Sequence, residues 1–233
     1  MANLTGAERA RYVQEMFTRI SPRYDLMNRL MTIGQDVRWR REVIHRARLP
    51  RQGYLLDLGA GTGDLSQEAL HQYPDCRCTA ADFTLGMMQS GRQHIGADRI
   101  NWNAADALQI PYPAGTFDAV VSGFLLRNLS DIRRGLSEQY RVLKPGGRIV
   151  TLDTTRPPQS IFSPFINFHL HTIIPTLGEL ISGEPDAYRY LPDSTEAFLS
   201  AEQLVERMLA AGFRKVGFRR LMLDTVAIHW GEK

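Results

Sequence analysis

The segment LDLGAGTGDLS, at residues 56–66, is the most informative part of this 233-residue chain. An apolar run contains Asp57, three glycines follow with the spacing Gly-x-Gly-x-Gly, and a second acid, Asp64, comes next. Glycines between a buried strand and a helix let the backbone approach a ligand at the carboxyl end of a parallel strand. A phosphate cradle favours lysine. The two acids therefore favour a cationic or hydroxyl-rich ligand over a pyrophosphate.

Strand-like and helix-like segments alternate after Pro50. The predicted strands lie at 54–59, 76–82, 99–106, 117–123 and 148–154, and the predicted helices at 64–73, 85–95, 131–143 and 200–213. Ser200 is the expected N-cap of the last helix, and Gly212 its end. The segments 213–223 and 224–231 predict an antiparallel hairpin at a sheet edge. The pattern is typical of an α/β fold with seven strands, mostly parallel, and helices on both faces.

Two regions depart from this alternation. Residues 1–50 predict a methionine-rich cap of three helices, at 6–20, 24–34 and 36–49, with Asp36 as the N-cap of the third. Six prolines punctuate residues 156–200, which predict a helical insertion that forms a lid or the wall of a substrate pocket. The second domain, which carries this insertion, is expected to span residues 51–233.

Composition is that of an ordinary globular protein, with 43% apolar and 23% charged residues. No apolar run approaches the roughly 20 residues of a membrane span, and the first residues lack the apolar core of a signal peptide. The two cysteines, Cys76 and Cys78, are expected to be buried thiols, without further ligands for a metal. We therefore expect a cytoplasmic protein without a metal.

Positive charge is concentrated at the start of the chain. Residues 1–51 hold eleven arginines and five acids, a net charge of +6, whereas the whole chain carries +3. Such a basic arm suits an anionic membrane surface, an acidic ligand or nucleic acid. The alternative is a solvated helix face without a ligand.

Further acids follow the second and third predicted strands. Asp82 ends its strand about twenty residues after the glycine loop, where a carboxylate hydrogen-bonds a ribose diol and repels a 2′-phosphate. Asp106 and Ala107 follow the third strand, where a polar group meets an adenine edge. Asp106 alone is also explained as a turn cap.

Five motifs carry a resemblance to a known class of enzymes. DLGAGTGD (57–64), AD (81–82), DA (106–107), FD (117–118) and RVLKPGGR (141–148) resemble the class I S-adenosylmethionine-dependent methyltransferases, which have a Rossmann-like fold. The acids then suit a sulfonium cation that carries a ribose and an adenine. The cofactor-binding positions that the resemblance and the loop pattern imply are Asp57, Gly59, Gly61, Thr62, Gly63, Asp82, Phe83, Asp106, Ala107 and Gly123.

Other motifs narrow the resemblance. YDLMN (24–28), FLLRNLSD (124–131), YRYL (188–191) and AIHWG (227–231) resemble the C-methyltransferases of ubiquinone and menaquinone biosynthesis, over residues 13–231. This family implies S-adenosylmethionine-dependent methylation of a ring carbon in a prenylated quinol, with demethylmenaquinol preferred. Three positions depart from the family pattern and leave the acceptor open. They are Gly123, where serine or alanine is frequent, Leu125, where glycine is usual, and Asp153, where glutamate is usual.

Three residues are the candidate catalytic groups. Arg127 follows the fourth strand and stays protonated, so it is expected to stabilise a phenolate or organise a water molecule. Asn128 is expected to orient a ring oxygen. Tyr24 is expected to hydrogen-bond the acceptor or close over the methionine moiety of the cofactor.

The insertion supplies further candidates. His169 and His171 are alternative general bases, because histidine titrates near neutral pH. Tyr188, Arg189 and Tyr190 are expected to line or brace the lid.

A prenylated quinol resides in a membrane, so we expect peripheral contact with the inner face of the bilayer through the basic arm and the apolar stretch 162–175. Trp39, Phe162 and Phe165 are the hypothesised contacts, although each also suits the protein core. The sequence leaves the choice between a monomer and a homodimer open.

Three other functions compete. The first is a methyltransferase of the same fold that acts on a soluble aromatic or polyketide-like metabolite, which the departures at Leu125 and Asp153 favour. The second acts on nucleic acid, with the basic arm as its only support, and we expect no nucleic-acid partner. The third binds the cofactor without catalysis.

Overall fold

A computed structural model of the protein describes residues 6–159, 161, 163–182 and 185–233. Within these residues the strands are β1 (Tyr54–Leu58), β2 (Arg77–Asp82), β3 (Ile100–Ala104), β4 (Phe117–Gly123), β5 (Leu143–Thr154), β6 (Arg214–Leu221) and β7 (Val226–Glu232). The helices are α1 (Gly6–Ile20), α2 (Tyr24–Met31), α3 (Asp36–Ala47), α4 (Asp64–Gln72), α5 (Leu85–Gly91), α6 (Ile132–Val142), α7 (Ser163–Phe168), α8 (Ile174–Ser182), α9 (Pro185–Ala197) and α10 (Ala201–Ala210). A π-helical segment, His169–Ile173, joins α7 to α8.

The strands form one sheet in the order β3-β2-β1-β4-β5-β7-β6. Strands β1 to β5 pair in parallel, and β7 runs antiparallel to both β5 and β6. The chain moves outward in one direction from β1 to β3 and then crosses to β4. Since ligands of such sheets bind where the strand order reverses, the crevice lies at the carboxyl ends of β1 and β4. The predicted α/β fold with its closing hairpin is confirmed.

Two element boundaries differ from the prediction by four residues or more. Strand β5 begins at Leu143 instead of residue 148, because Leu143 already pairs with Phe117 of β4, and the Lys-Pro-Gly-Gly segment forms the irregularity before Arg148 pairs with Ala119. Helix α5 ends at Gly91 instead of residue 95, where a Cβ atom would lie 2.4 Å from the Thr62 carbonyl oxygen. The glycine is thus required by close packing against the loop before α4.

Helix caps were predicted correctly in one case and wrongly in another. The Ser200 hydroxyl accepts from the Gln203 amide at 3.3 Å, and a full capping box begins α10. Asp36 does not cap α3: the preceding Gln35 is the N-cap residue, and the buried Asp36 carboxylate instead accepts from Arg40 Nη1 at 2.6 Å. The nearby guanidinium draws the acid away from the helix end.

The core has three parts. Two pack against the opposite faces of the sheet, and α3 covers one of these faces with Trp39, Val43 and Ile44. The third lies between α1, α2 and the insertion, where methionines meet Ile166, Leu170 and Ile174. These N-terminal helices and the insertion therefore form one layer over the carboxyl edge of the sheet.

The hypothesised membrane contacts have three different outcomes. Trp39 is only 4% exposed and belongs to the core beneath α3, which confirms the alternative interpretation of this residue as core and rules out the membrane contact. Phe165 is 58% exposed on α7, and Phe162 lies outside the described residues. Of the helices described, none has the length and apolar character that crossing a bilayer requires.

Candidate active site

A first cavity lies at the carboxyl ends of β1, β2 and β4, with a volume of about 160 Å³. Its described charged side chains are two carboxylates, Asp82 and Asp106. The interior is therefore suited to a cation. Seven of the ten predicted cofactor residues border it: Gly59, Gly61, Asp82, Phe83, Asp106, Ala107 and Gly123.

The glycine loop that forms its floor has no room for larger residues. Gly59 and Gly61 adopt φ angles of +69° and +56°, a left-handed conformation that favours glycine. A Cβ atom on Gly59 would lie 2.7 Å from Leu125 Cδ1. Leu125, one of the departures from the family pattern, therefore packs directly over the loop and borders the first cavity.

Asp82 holds this loop in place. Its Oδ2 accepts from the Gly61 amide at 2.7 Å, and its Oδ1 accepts from the Thr84 amide at 2.6 Å. A carboxylate offers about four lone-pair positions, so both oxygens retain capacity for hydroxyl donors.

The other three predicted cofactor residues do not border the first cavity. Asp57 lies beneath the loop, where Oδ2 accepts from the Ser66 amide at 3.0 Å and hydroxyl at 2.8 Å. Thr62 is buried and donates to Asp25 Oδ1 of α2 at 2.7 Å. Gly63 precedes α4 with a φ of +83°, against the Trp102 ring. All three shape the loop or join it to its neighbours.

Asp57 is an unusual acid. It is 1% exposed, and burial raises its pKa from 3.8 to about 7, although the bonds from Ser66 oppose the rise. Its second oxygen, Oδ1, finds no hydrogen-bond partner among the residues described. The carboxyl group is thus poised between its neutral and charged forms near pH 7.

A second cavity, of about 90 Å³, lies between α1, α2, the strand ends and the insertion. Most of its lining is apolar, and four methionines contribute to it. Three aromatic side chains border both cavities, and we call them the aromatic partition: Phe17, Tyr24 and Phe124. Phe124 has a φ of +59°, a conformation that is costly for a bulky residue and concentrates at functional sites.

The three candidate catalytic residues meet at this partition from different sides. Tyr24 belongs to it, Asn128 borders the first cavity, and Arg127 borders the second. The Asn128 amide donates to the Phe124 carbonyl at 2.9 Å, and its Oδ1 accepts from the Tyr190 hydroxyl at 3.0 Å. Burial raises the pKa of Tyr24, so its hydroxyl keeps its proton at neutral pH.

Arg127 is held by a buried acid. Its Nη1 lies 2.9 Å from Asp153 Oδ1, and its amide donates to Asp153 Oδ2 at 3.2 Å. The guanidinium carbon also lies 5.0 Å from the centre of the Phe124 ring. The cation is therefore fixed at the wall of the second cavity, beside the aromatic partition.

Buried polar atoms border the second cavity. Asn28 Nδ2, Thr154 Oγ1 and His169 Nε2 are buried and form no close hydrogen bond within the described part of the chain, although the Asn28 side chain lies near enough to the Tyr24 hydroxyl to oppose the rise in its pKa that burial causes. Buried polar atoms are nearly always satisfied, so these three indicate a ligand with its own donors and acceptors.

Sequence reasoning named only part of this set. Asn28 stands in the YDLMN motif and Thr154 follows Asp153, but neither received a role. Phe124 was likewise missed, and its position directly after Gly123 at the end of β4 was the available signal.

Other candidates of the insertion lie apart. The exposed His171 pairs with Glu196 at 2.8 Å, away from both cavities. Tyr188 and Tyr190 border the second cavity, and the side chain of Arg189 lies outside the described set.

The sheet order, the glycine loop and the acids that follow β2 and β3 define a class I S-adenosylmethionine-dependent methyltransferase. The first cavity suits such a cofactor chemically, because its lining offers two carboxylates and open glycine backbone. A Thermotoga maritima S-adenosylmethionine-dependent methyltransferase, 17% identical, has the same fold with a TM-score of 0.66, covering 94% of this chain and 99% of its own.

The chain belongs to the ubiE/COQ5 methyltransferase family, whose model matches residues 4–233. It is 45% identical to the ubiquinone/menaquinone biosynthesis C-methyltransferase UbiE of Desulfotalea psychrophila, over 95% of this chain and 90% of that protein. It is 42% identical to the demethylmenaquinone methyltransferase of Thermus thermophilus, over 94% of this chain and the full length of that protein. The protein is thus an S-adenosylmethionine-dependent methyltransferase.

Proposed function

We propose that the protein transfers a methyl group from S-adenosylmethionine to a ring carbon of a prenylated quinol, with demethylmenaquinol as the preferred acceptor. The observation that carries this proposal is the aromatic partition, which divides an acidic cavity from an apolar cavity. The apolar cavity is bordered by buried polar atoms that form no close hydrogen bond with any residue the structure describes. The functions that name the relatives from Desulfotalea and Thermus support the same acceptor class.

The first cavity is the proposed cofactor site. S-adenosylmethionine supplies an electrophilic methyl group on a sulfonium. Asp82 would accept from the ribose hydroxyls, and Asp106 with the Ala107 backbone would meet the adenine. Gly59 and Gly61 leave the backbone open to the ligand. Asp57, Thr62 and Gly63 support the loop from beneath.

The second cavity is the proposed acceptor site. Its methionine side chains are flexible and polarisable, which suits a flat aromatic ring system. Asn28 Nδ2 would donate to one ring oxygen. Thr154 Oγ1 and His169 Nε2 would form hydrogen bonds with the hydroxyl group at the other ring oxygen of the quinol. A soluble ring without a tail would use the same polar atoms, so these contacts alone do not select the quinol.

Methyl transfer requires an electron-rich ring carbon and exclusion of water. A quinol carbon becomes nucleophilic when the neighbouring hydroxyl loses its proton. His169 Nε2 would take the hydroxyl proton, and the Arg127 guanidinium would stabilise the phenolate without being deprotonated itself. Methyl transfer would leave a neutral thioether, and the methylated ring carbon would lose its hydrogen as a proton, which restores the aromatic quinol. Tyr24 would donate a hydrogen bond from the partition, since its hydroxyl stays protonated.

The family departures do not count against the quinol. Leu125 packs on Gly59 at the first cavity, and Asp153 pairs with Arg127, so neither reduces the second cavity.

The basic arm likewise gives little support to a nucleic-acid substrate. Arg40 pairs with Asp36 and Asp64, and Arg46 pairs with Glu42.

We also propose that the protein works at a membrane surface, as a prenylated substrate requires. Exposed apolar residues of the insertion support this placement: Ile161, Phe165, Phe168 and Leu180. Their side chains offer contact with acyl chains without insertion of a helix.

Calorimetric binding of S-adenosylmethionine, followed by turnover of a short-tailed demethylmenaquinol, tests the proposal. The wild type is expected to bind in the micromolar range and to methylate the ring, with product detected by mass spectrometry. Asp82→Ala is expected to bind about 100-fold more weakly, because a charge-assisted contact and the loop's anchor are lost together. Asp98→Ala, at an exposed aspartate outside the first cavity, is the control.

The alternatives give different results. Binding without turnover of the quinol would favour a soluble aromatic or polyketide-like acceptor. Absence of binding by the wild type would contradict the proposed cofactor site.

A further inference from the structure

A surface groove opens beside the second cavity. It has a volume of about 360 Å³ and is formed by three separate segments. Ile33 of the α2–α3 turn is 80% exposed, Phe165 of α7 is 58% exposed, and Leu223 of the β6–β7 turn is 46% exposed. Large apolar side chains that converge from separate segments at one surface indicate contact with an apolar partner.

The groove and the second cavity share part of their walls. His169, Met222 and Thr225 border both spaces. The two spaces are therefore direct neighbours that share one wall. Met222 is unbranched and flexible, so it is well suited to make way for a chain that passes between them.

The chemistry of the groove excludes a charged occupant. Among the described residues that line it, the polar side chains are Gln35, His169 and Thr225, and none is a carboxylate, an ammonium or a guanidinium. A hydrocarbon chain fits such a lining, whereas an ionic headgroup would find no counter-ion.

The backbone at the groove's rim is held in a strained form. Met222, Leu223 and Asp224 have φ angles of 48°, 51° and 65°, three successive non-glycine residues in the left-handed region. Strain of this kind persists where the surrounding structure imposes it, and it concentrates at ligand sites. The turn presents Met222 between the two spaces and Leu223 at the rim.

We infer that this groove carries the isoprenoid tail of the acceptor while the quinol ring occupies the second cavity. The inference rests on the proposed function, because it assigns a place to the tail of the proposed substrate. The ring is then oriented with its tail toward the surface and its reacting edge toward the aromatic partition. Recognition of the tail is thus separate from recognition of the ring.

Substitution at the rim tests this assignment. Leu223→Asp places a solvated carboxylate where the tail would lie. The matched control is Leu209→Asp on α10, since Leu209 is 52% exposed and lies outside both cavities and the groove. Each variant is assayed with 1,4-dihydroxynaphthalene, which has no tail, and with demethylmenaquinol that carries three isoprene units.

The expected result is a selective loss. In Leu223→Asp, kcat/KM for the tailed acceptor falls about tenfold or more, and kcat/KM for the tailless acceptor stays within about twofold of the wild type. Leu209→Asp changes neither value. An equal loss on both acceptors, or no loss on either, would overturn the assignment.

A binding measurement separates this inference from the proposed function. Trp39 borders the second cavity, so a bound quinone is expected to quench its fluorescence, and Trp39→Phe removes this signal. Leu223→Asp should weaken quenching by the tailed quinone about tenfold, without weakening quenching by tailless naphthoquinone. A wild type that methylates neither acceptor would refute the proposed function, whereas quenching unchanged by Leu223→Asp would refute the groove alone.

Discussion

The floor of the first cavity is formed by backbone that is close in sequence to the strand ends, whereas the second cavity is lined mainly by side chains from distant segments. Gly59, Gly61 and Asp82 belong to one strand–turn–helix unit and the strand beside it. The second cavity joins α1, α2, the end of β5, the insertion and the β6–β7 turn. The proposed cofactor site thus rests largely on a local motif, while the proposed acceptor site depends on long-range packing.

The largest expected effect is on the free energy of unfolding, and it concerns Asp57, the buried acid beneath the first cavity. The pKa of Asp57 is about 7 in the folded protein and 3.8 in an unfolded chain. Between pH 3.8 and pH 7, Asp57 is therefore protonated when the protein is folded and releases its proton when the protein unfolds. The free energy of unfolding therefore falls as pH rises through this range. From pH 5 to pH 8, urea denaturation should show that the wild type loses on the order of 3 kcal/mol more than Asp57→Asn.

The asparagine variant isolates this one group, because every other titrating residue is the same in both proteins. If the two proteins lost the same stability between pH 5 and pH 8, Asp57 would not be the buried acid with the raised pKa. The carboxylate of Asp57, beneath the first cavity, would then be charged at neutral pH like an ordinary aspartate.

The next largest expected effect is a loss of kcat, and it concerns Arg127, the cation at the wall of the second cavity. Arg127→Lys keeps the positive charge but loses the planar fork that pairs with Asp153. We expect kcat for the quinol to fall about 10- to 100-fold, because the cation no longer faces the ring oxygen in a fixed position. The calorimetric Kd of S-adenosylmethionine should not change, since Arg127 does not border the first cavity.

Arg148→Lys is the control for this change, because Arg148 is also ion-paired and partly buried but lies outside both cavities. It should leave kcat and Kd as they are. Weaker cofactor binding in Arg127→Lys would mean that the two cavities are coupled through the aromatic partition.

The smallest expected effect is on stability and KM, and it concerns the hydroxyl of Thr154. Thr154→Val removes a buried polar atom that has no partner in the described structure, without changing the shape of the side chain. The ligand-free protein should gain about 1 kcal/mol in stability, and KM for the quinol should rise about fivefold. Thermal unfolding and initial rates measure these two effects.

Thr116→Val provides the comparison, because the Thr116 hydroxyl donates to the Pro113 carbonyl at 2.7 Å, outside the second cavity. It should bring no gain in stability and no change in KM. A loss of stability in Thr154→Val would show that its hydroxyl is satisfied in the free protein.

The contrast between the two cavities also explains which structural features could be predicted from the sequence. The sheet, its hairpin, the glycine loop and Asp82 were predictable, since each depends on local pattern and on the rule that parallel strands present ligands at their carboxyl ends. Asn28, Phe124 and Thr154 received no role, because their meeting depends on how α2 and the insertion pack over the sheet. The error at Asp36 had a different, local origin: Arg40, four residues further along the same helix, pairs with the carboxylate, and Gln35 takes the N-cap position.

The left-handed turn at residues 222–224 also has a consequence for protein engineering. Leu223→Gly should raise the melting temperature, because glycine adopts a positive φ without the cost of about 1 kcal/mol that a side chain brings. The same change removes an apolar side chain from the groove's rim. A library selected for heat resistance alone would therefore drift toward enzymes that no longer favour long-tailed substrates, so selection should include a tailed acceptor from the first round.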